Sequence, residues 1–263
     1  MTEAPVVFVA GATGAIGRVL CGLLVADGWR VVGTTRTPEG ARRLEAQGVR
    51  PAVLDVFDEA AVRAAVLDAR PSAVVHQLTD LPKRLDPAAL AAALERNARL
   101  REVGTRHLVD AAAAAGVAAV VAQSIAFAYA PGPKPYTEDQ PLNGADPTMA
   151  RTVQGVQALE RLVLGGPFRG VVLRYGRLYG PGTWAAEAPA GGPVHVDAAA
   201  HAARLALRGG SLGVYNVAEP DGTVAIDKVV GEFEWDPAFR VGLRAPGPQG
   251  AGGGDMMTRE GNR

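Results

Sequence analysis

The chain has 263 residues, 48% of them hydrophobic and 21% charged, and its 27 basic and 27 acidic side chains cancel. That length suits one large domain, or a domain with a small appendage, and no long basic run points to nucleic acid. Cys21 is the single cysteine, which excludes an internal disulfide and leaves no expectation of a Cys-based metal cluster. The opening MTEAPVVFVAG lacks the basic and long apolar segments of a signal peptide. No apolar run reaches the length of a membrane span, so a cytoplasmic protein is expected.

In chain order, β-branched apolar runs alternate with Ala/Leu/Arg-rich stretches of helical period. Strands are predicted at 6–10, 30–35, 50–54, 73–77, 117–123 and 170–174. Helices are predicted at 16–27, 39–47, 58–70, through most of 87–115, and at 151–164. That rhythm means an α/β fold with a doubly wound parallel sheet covered on both faces. After Gly180 it loosens. Residues 194–196, 198–207 and 214–217 read as one more βαβ piece, and the Gly/Pro-rich 245–254 reads as a flexible tail. The predicted division is a dinucleotide-binding domain over 1–178 plus 194–217, with a small substrate-covering region over 179–193 plus 218–263.

The stretch VVFVAGATGAIGRVL sets Gly11, Gly14 and Gly17 between the first strand and the first helix. Glycines there allow a tight turn and a close approach of backbone to a pyrophosphate, and the helix N-terminus adds free N–H groups and a positive dipole end. Thr13, Ala15 and Ile16 complete the loop. The second strand ends in Thr34-Thr35-Arg36. An acidic residue there would accept from ribose hydroxyls, whereas an Arg suits a 2′-phosphate, with Arg18 as a second charge. The expected cofactor is therefore NADPH rather than NADH. Asp55, followed by Val56, ends the third strand and offers an acceptor to an adenine amino group.

These pieces, together with VVHQL, GTRHLVDAA, AQSIAFAY, LRYGRLYGPG and VHVDAAAHAA in that order, resemble the extended short-chain dehydrogenase/reductases. The resemblance covers roughly residues 5–217. It implies a Rossmann-type core with the cofactor across the strand C-termini. Gln77, Leu78 and Thr79, Gln123, and Tyr175, Gly176 and Leu178 would flank its nicotinamide half. The helix through 95–115 is often a dimer face in this family, and its Ala-rich surface leaves both a homodimer and a monomer open.

The departures bear on chemistry. The family normally uses a Tyr and a Lys four residues apart on the helix after the fifth strand, with a Ser or Thr at that strand's end. Here those positions fall on Thr152, Val156 and Ile125. Ser124, Tyr129 and Thr152 are the polar groups left near them, each with a packing, strand-end or capping role as its competitor. His76 and His195 lie in or beside strands and read as packed side chains. A missing acid is worth about 10²- to 10⁴-fold in rate. The expected reaction is thus NADPH-dependent reduction of an activated ketone or quinone-like carbonyl on a small molecule, such as an aromatic polyketide whose own phenol supplies the proton. A catalytically inactive NADP-binding sensor is the alternative. Trp184, in the loop over the cleft, is a candidate to stack on a flat substrate, Lys83-Arg84 reads as a solvated turn, and Met256 and Met257 read either as an apolar flap or as part of a disordered tail. WDPAFRVGL resembles the family's closing motif, leaving only a reduced C-terminal cover.

Overall fold

The computed structural model describes residues 4–82 and 87–242. The predicted tail at 245–254, Met256, Met257 and the Lys83-Arg84 turn lie outside the described residues.

Six strands follow the predicted rhythm: β1 (Val6–Ala10), β2 (Arg30–Thr35), β3 (Arg50–Val53), β4 (Ala73–His76), β5 (Ala119–Ile125) and β6 (Arg169–Tyr175). The helices between them are α1 (Ala15–Ala26), α2 (Pro38–Glu45), α3 (Glu59–Ala69), α4 (Pro87–Arg99), α5 (Thr105–Ala114) and α6 (Ala150–Leu164). Then come two short strands, β7 (Arg177–Tyr179) and β8 (Pro193–His195), helix α7 (Val196–Arg208), strand β9 (Gly213–Val217) and helix α8 (Asp227–Phe233). The main sheet is wholly parallel in the order β3-β2-β1-β4-β5-β6-β9. Its connections reverse direction between β1 and β4, which opens the crevice where such folds bind ligands.

Alternation along β1 shows why the sheet is buried on both faces. Val7 and Val9 enter one apolar cluster with α1 and α7, while Val6, Phe8 and Ala10 enter the other with α3, α5 and α6. Asp27, at the end of α1, ties the first layer together by accepting from Arg204 Nε at 2.6 Å and pairing with Arg208 at 2.7 Å. Burial pushes the Asp27 carboxyl up, but the two guanidiniums outweigh it and hold it below its ordinary value.

The C-terminal third corrects one expectation. The strand predicted at 194–196 does not join the main sheet. β8 pairs with β7 in a separate two-stranded ribbon, and β9 alone extends the main sheet beside β6. Three-residue strands carry too little alternation to reveal their partner. The WDPAFRVGL segment folds back over α7: the Trp235 indole donates to the Ala198 carbonyl at 2.9 Å, and Phe239 stacks on His201 at 4.0 Å. Among the described residues no helix is long and apolar enough to cross a membrane.

Candidate active site

A cavity of about 890 Å³ lies across the C-terminal ends of the strands. Its floor begins at the β1–α1 turn. Gly11 has φ +88°, and a Cβ there would lie 2.7 Å from the backbone C and O of Gln77. Gly14 caps α1 without any side-chain bond, and the first turn of α1 holds no acidic residue. A Cβ on Gly17 would lie 2.1 Å from the Gly11 carbonyl oxygen, so this third glycine seats the helix against the loop. Thr34 Oγ1 accepts from the Gly11 amide at 3.0 Å and fixes the turn. The loop thus presents uncapped N–H groups and a bare backbone toward the cavity, with Thr13, Ala15 and Ile16 on its wall.

Of the expected cofactor residues, all but Gly17 and Arg18 line the cavity. Gly17 sits beneath the loop. Arg18 lies at the rim, where its guanidinium donates to the Pro181 carbonyl at 3.4 Å. Arg36 is exposed on the wall beside the end of β2 and has no hydrogen bond or ion pair among the described residues. Asp55 Oδ1 accepts from the Phe57 amide at 3.0 Å, while Asp58, not Asp55, caps α3. The Val56 carbonyl is held by His107 Nδ1 at 2.9 Å.

At the other end, Gln77, Leu78 and Thr79 after β4 face Gln123 on β5 and Tyr175, Gly176 and Leu178 after β6. Gln123 Nε2 donates to the Leu78 carbonyl at 2.9 Å. Gln77 Nε2 donates to the Tyr175 hydroxyl at 3.3 Å, and the buried Gln77 Oε1 has no partner among the described residues. Buried acceptors are normally satisfied, so an orphan on a cavity wall fits a ligand donor. Trp184 covers this end, its indole donating to the Pro82 carbonyl at 2.8 Å.

The three candidate catalytic groups separate. Thr152 is 7% exposed and lines the cavity, but Val156, one turn on, is fully buried in the core. Gly155 between them is structural: a Cβ would lie 2.9 Å from the Ala98 Cα of α4. Ser124 reaches the wall, yet its hydroxyl donates to Glu160 Oε1 at 2.8 Å. Tyr129 does not reach the cavity wall. Its hydroxyl donates to Asn216 Oδ1 at 2.7 Å and accepts from Arg174 at 2.9 Å, and burial pushes its pKa up. Position after the fifth strand suggested proximity, but the loop turns this phenol into a buried network built on the Glu160–Arg174 ion pair.

Among the described wall residues there is no lysine, and Tyr175 is the one tyrosine. Burial pushes Tyr175 far above the ordinary phenol value, making it a reluctant proton donor. His76 is neutral at physiological pH: burial, then the Arg101 charge, push it down to about 3, and its ring is bonded to Thr105 Oγ1 and the Leu78 amide. His195 caps α7 by accepting from the Asp197 amide at 3.1 Å. Sequence reasoning missed Asp80, Asn97 and Arg101, which also line the cavity.

The model of the NAD dependent epimerase/dehydratase family matches residues 7–218. The chain belongs to that family. It is 43% identical to a 3-diazoavenalumate denitrifying reductase of Streptomyces sp over 92% of this chain and 83% of that protein. It is 34% identical to the dTDP-4-dehydrorhamnose reductase of Streptomyces griseus over 66% of this chain and 50% of that one. Among solved structures, the UDP-glucose 4-epimerase of Thermotoga maritima superposes with a TM-score of 0.72 at 17% identity, covering 89% of this chain and 94% of that one. The Bordetella bronchiseptica enzyme WbmH, solved with NAD+, gives 0.68 at 23% identity over 86% and 79%. These structural likenesses establish the Rossmann-type fold. The family and the reductase relatives make this chain an oxidoreductase with a nicotinamide cofactor. The bare glycine loop, the uncapped start of α1 and the orphan Gln77 Oε1 suit such a group.

Proposed function

We propose that this oxidoreductase uses NADPH to reduce an activated aromatic small molecule that needs no proton from the protein. One observation carries the reading. The wall at the head of α6 offers Thr152 where the family expects its tyrosine, with Val156 buried behind it and no lysine on the described wall. When bound, the reduced nicotinamide supplies a hydride. The chain's part is to hold donor and acceptor together and exclude water, a proximity effect that reaches several kcal/mol without any acid. Phe127, Trp184, Pro82 and Ile125 give the outer cavity an apolar lining suited to a flat ring.

Two acceptor classes meet the requirement. A quinone-like ketone, as on an aromatic polyketide, can take its proton from a neighbouring phenol of its own. A diazo aromatic needs none at all, and the 43% identical relative is a denitrifying reductase of a diazo compound. There the ring carbon gains the hydride pair as a C–H bond, the C–N bond breaks with its pair going to nitrogen, dinitrogen leaves, and the nicotinamide loses two electrons. The diazo class is favoured, because departure of nitrogen replaces protonation as the driving step. The assay is NADPH oxidation with diazotised ortho-aminophenols and with ortho-quinones. Consumption of NADPH with matching release of dinitrogen is expected. A protein that binds NADPH and consumes none with either set is a sensor instead.

Selection of NADPH rests on Arg36, an exposed guanidinium with no partner among the described residues. A charge-assisted contact to a 2′-phosphate is worth about 1.5–3 kcal/mol, or roughly 10- to 100-fold. Arg36→Ala is expected to weaken NADPH binding by that factor and leave NADH binding unchanged. Titration of both dinucleotides checks it, and an unchanged ratio of affinities overturns the assignment.

A further inference from the structure

Arg101 is a charge that the fold leaves without an answer. It is 5% exposed, lies on the cavity wall, and makes no hydrogen bond or ion pair among the described residues. Buried guanidiniums normally carry a carboxylate or several carbonyls, because an unpaired ion in a low-dielectric site is costly. Elsewhere this protein obeys that rule: the buried Arg174 is bonded to both oxygens of Glu160, to Tyr129 and to the Glu138 carbonyl. Glu160 is also the carboxylate whose field acts on Arg101, but its oxygens are already taken by Arg174 and Ser124. Burial pushes Arg101 down to about 10, so it remains a cation at neutral pH.

The backbone around it is unusual too. Residues Leu100–Gly104 form a single π-turn between α4 and α5, closed by the Thr105 amide on the Leu100 carbonyl. Such wide turns interrupt an α-helix at a cost and concentrate at functional positions. Here Arg101 is buried on the cavity side, while the next residue, Glu102, pairs with Arg151. The other two cations on the described wall differ. Arg36 is exposed near the β2 end, and Arg177 is exposed and lies over the Phe127 ring at 5.1 Å. Thr152, Ser124 and Asn97 line the same cavity as Arg101.

We infer that Arg101 forms an anion subsite for the acceptor, receiving a carboxylate of the substrate through its two-pronged guanidinium. The planar fork matches two carboxylate oxygens, and its buried setting makes the contact selective: a neutral ligand would leave the cation unanswered. The enzyme therefore selects carboxylate-bearing aromatic acceptors. The inference rests on the proposed reduction for its meaning, but binding alone tests it.

The test is calorimetric titration of p-hydroxycinnamate and its methyl ester into the NADP-loaded protein, for wild type, Arg101→Gln and Arg101→Lys. Wild type is expected to prefer the acid over the ester by about 10- to 100-fold. Arg101→Gln should abolish that preference while leaving NADPH affinity unchanged, and Arg101→Lys should restore part of it. Arg101→Met should keep or raise the melting temperature, because it removes an unpaired buried charge, whereas a structural arginine would lower it. Three results overturn the inference: equal binding of acid and ester by wild type, equal loss of both in Arg101→Gln, or a loss of NADPH affinity as large as the loss of acid binding. The last would make Arg101 a cofactor residue. Failure of NADPH oxidation with every acceptor would sink the proposed reduction and leave this binding result standing.

Discussion

Gly11→Ala is expected to weaken NADPH binding by up to about 100-fold, the equivalent of the 1–3 kcal/mol that a non-glycine residue spends in such backbone. Gly11 has φ +88°, and its Cβ would meet only backbone: Gln77 C and O at 2.7 Å and Leu78 N at 2.9 Å. No side chain can swing aside there. The strain must be relieved by moving either the β1–α1 turn or the Gln77–Leu78 wall, and both line the cavity. Gly28→Ala is the matched control. Gly28 also has positive φ, at +83°, but nothing lies within 4 Å of its added Cβ, and it does not line the cavity. It should cost a similar strain in stability and nothing in affinity. Fluorescence titration of NADPH, paired with thermal melts, separates the two. Equal affinities for both variants would show that the glycine loop is not the dinucleotide cradle.

Glu160→Gln is expected to destabilise the protein by about 3–5 kcal/mol, a drop of roughly 10 °C in melting temperature. Glu160 and Arg174 are both buried, and the two guanidinium bonds measure 2.9 and 2.7 Å. Removing the carboxylate charge leaves Arg174 buried beside a neutral amide, and also withdraws the negative field that acts on Arg101. The double change Glu160→Gln with Arg174→Met should recover much of the loss, since no orphan charge remains at the pair. NADPH affinity should stay nearly unchanged in both. If Glu160→Gln melts like the wild type, the network behind Ser124 and Tyr129 is not the stabilising element that its geometry indicates.

What could be read from residue order, and what could not, divides along physical lines. Most of the strands from β1 to β6 are short runs of β-branched and apolar residues bounded by helical stretches, a signal that any buried parallel strand gives; β3, with Arg50 and Pro51 in a partly exposed four-residue strand, was legible only from its place in the rhythm. The glycine loop was legible because Gly11 and Gly17 each stand where a Cβ would meet backbone, and Gly14 between them caps α1 without a side chain. The β7–β8 ribbon was hidden because its strands are three residues long. Tyr129 was misleading because chain distance from β5 says nothing about which way the following loop turns its phenol. Arg101 was invisible for another reason: an arginine in a charged helical stretch reads as surface, and only the π-turn and the packing of α5 and α6 reveal it as buried. Thr152 and Val156 were placed correctly relative to each other by helical spacing, but their different fates, one on the wall and one in the core, are set by how α6 lies on α4.

The proposed reaction is hydride delivery without a proton from the protein. Its most direct test is the solvent deuterium isotope effect on kcat/KM for NADPH oxidation by a diazotised ortho-aminophenol carboxylate, measured at neutral pH for wild type and Tyr175→Phe. No effect is predicted, because no wall residue has to give up a proton for the acceptor to expel dinitrogen, and Tyr175→Phe should turn over like the wild type. A slowed rate in heavy water that Tyr175→Phe or another single wall variant abolishes together with activity would reveal a resident acid and contradict the claim.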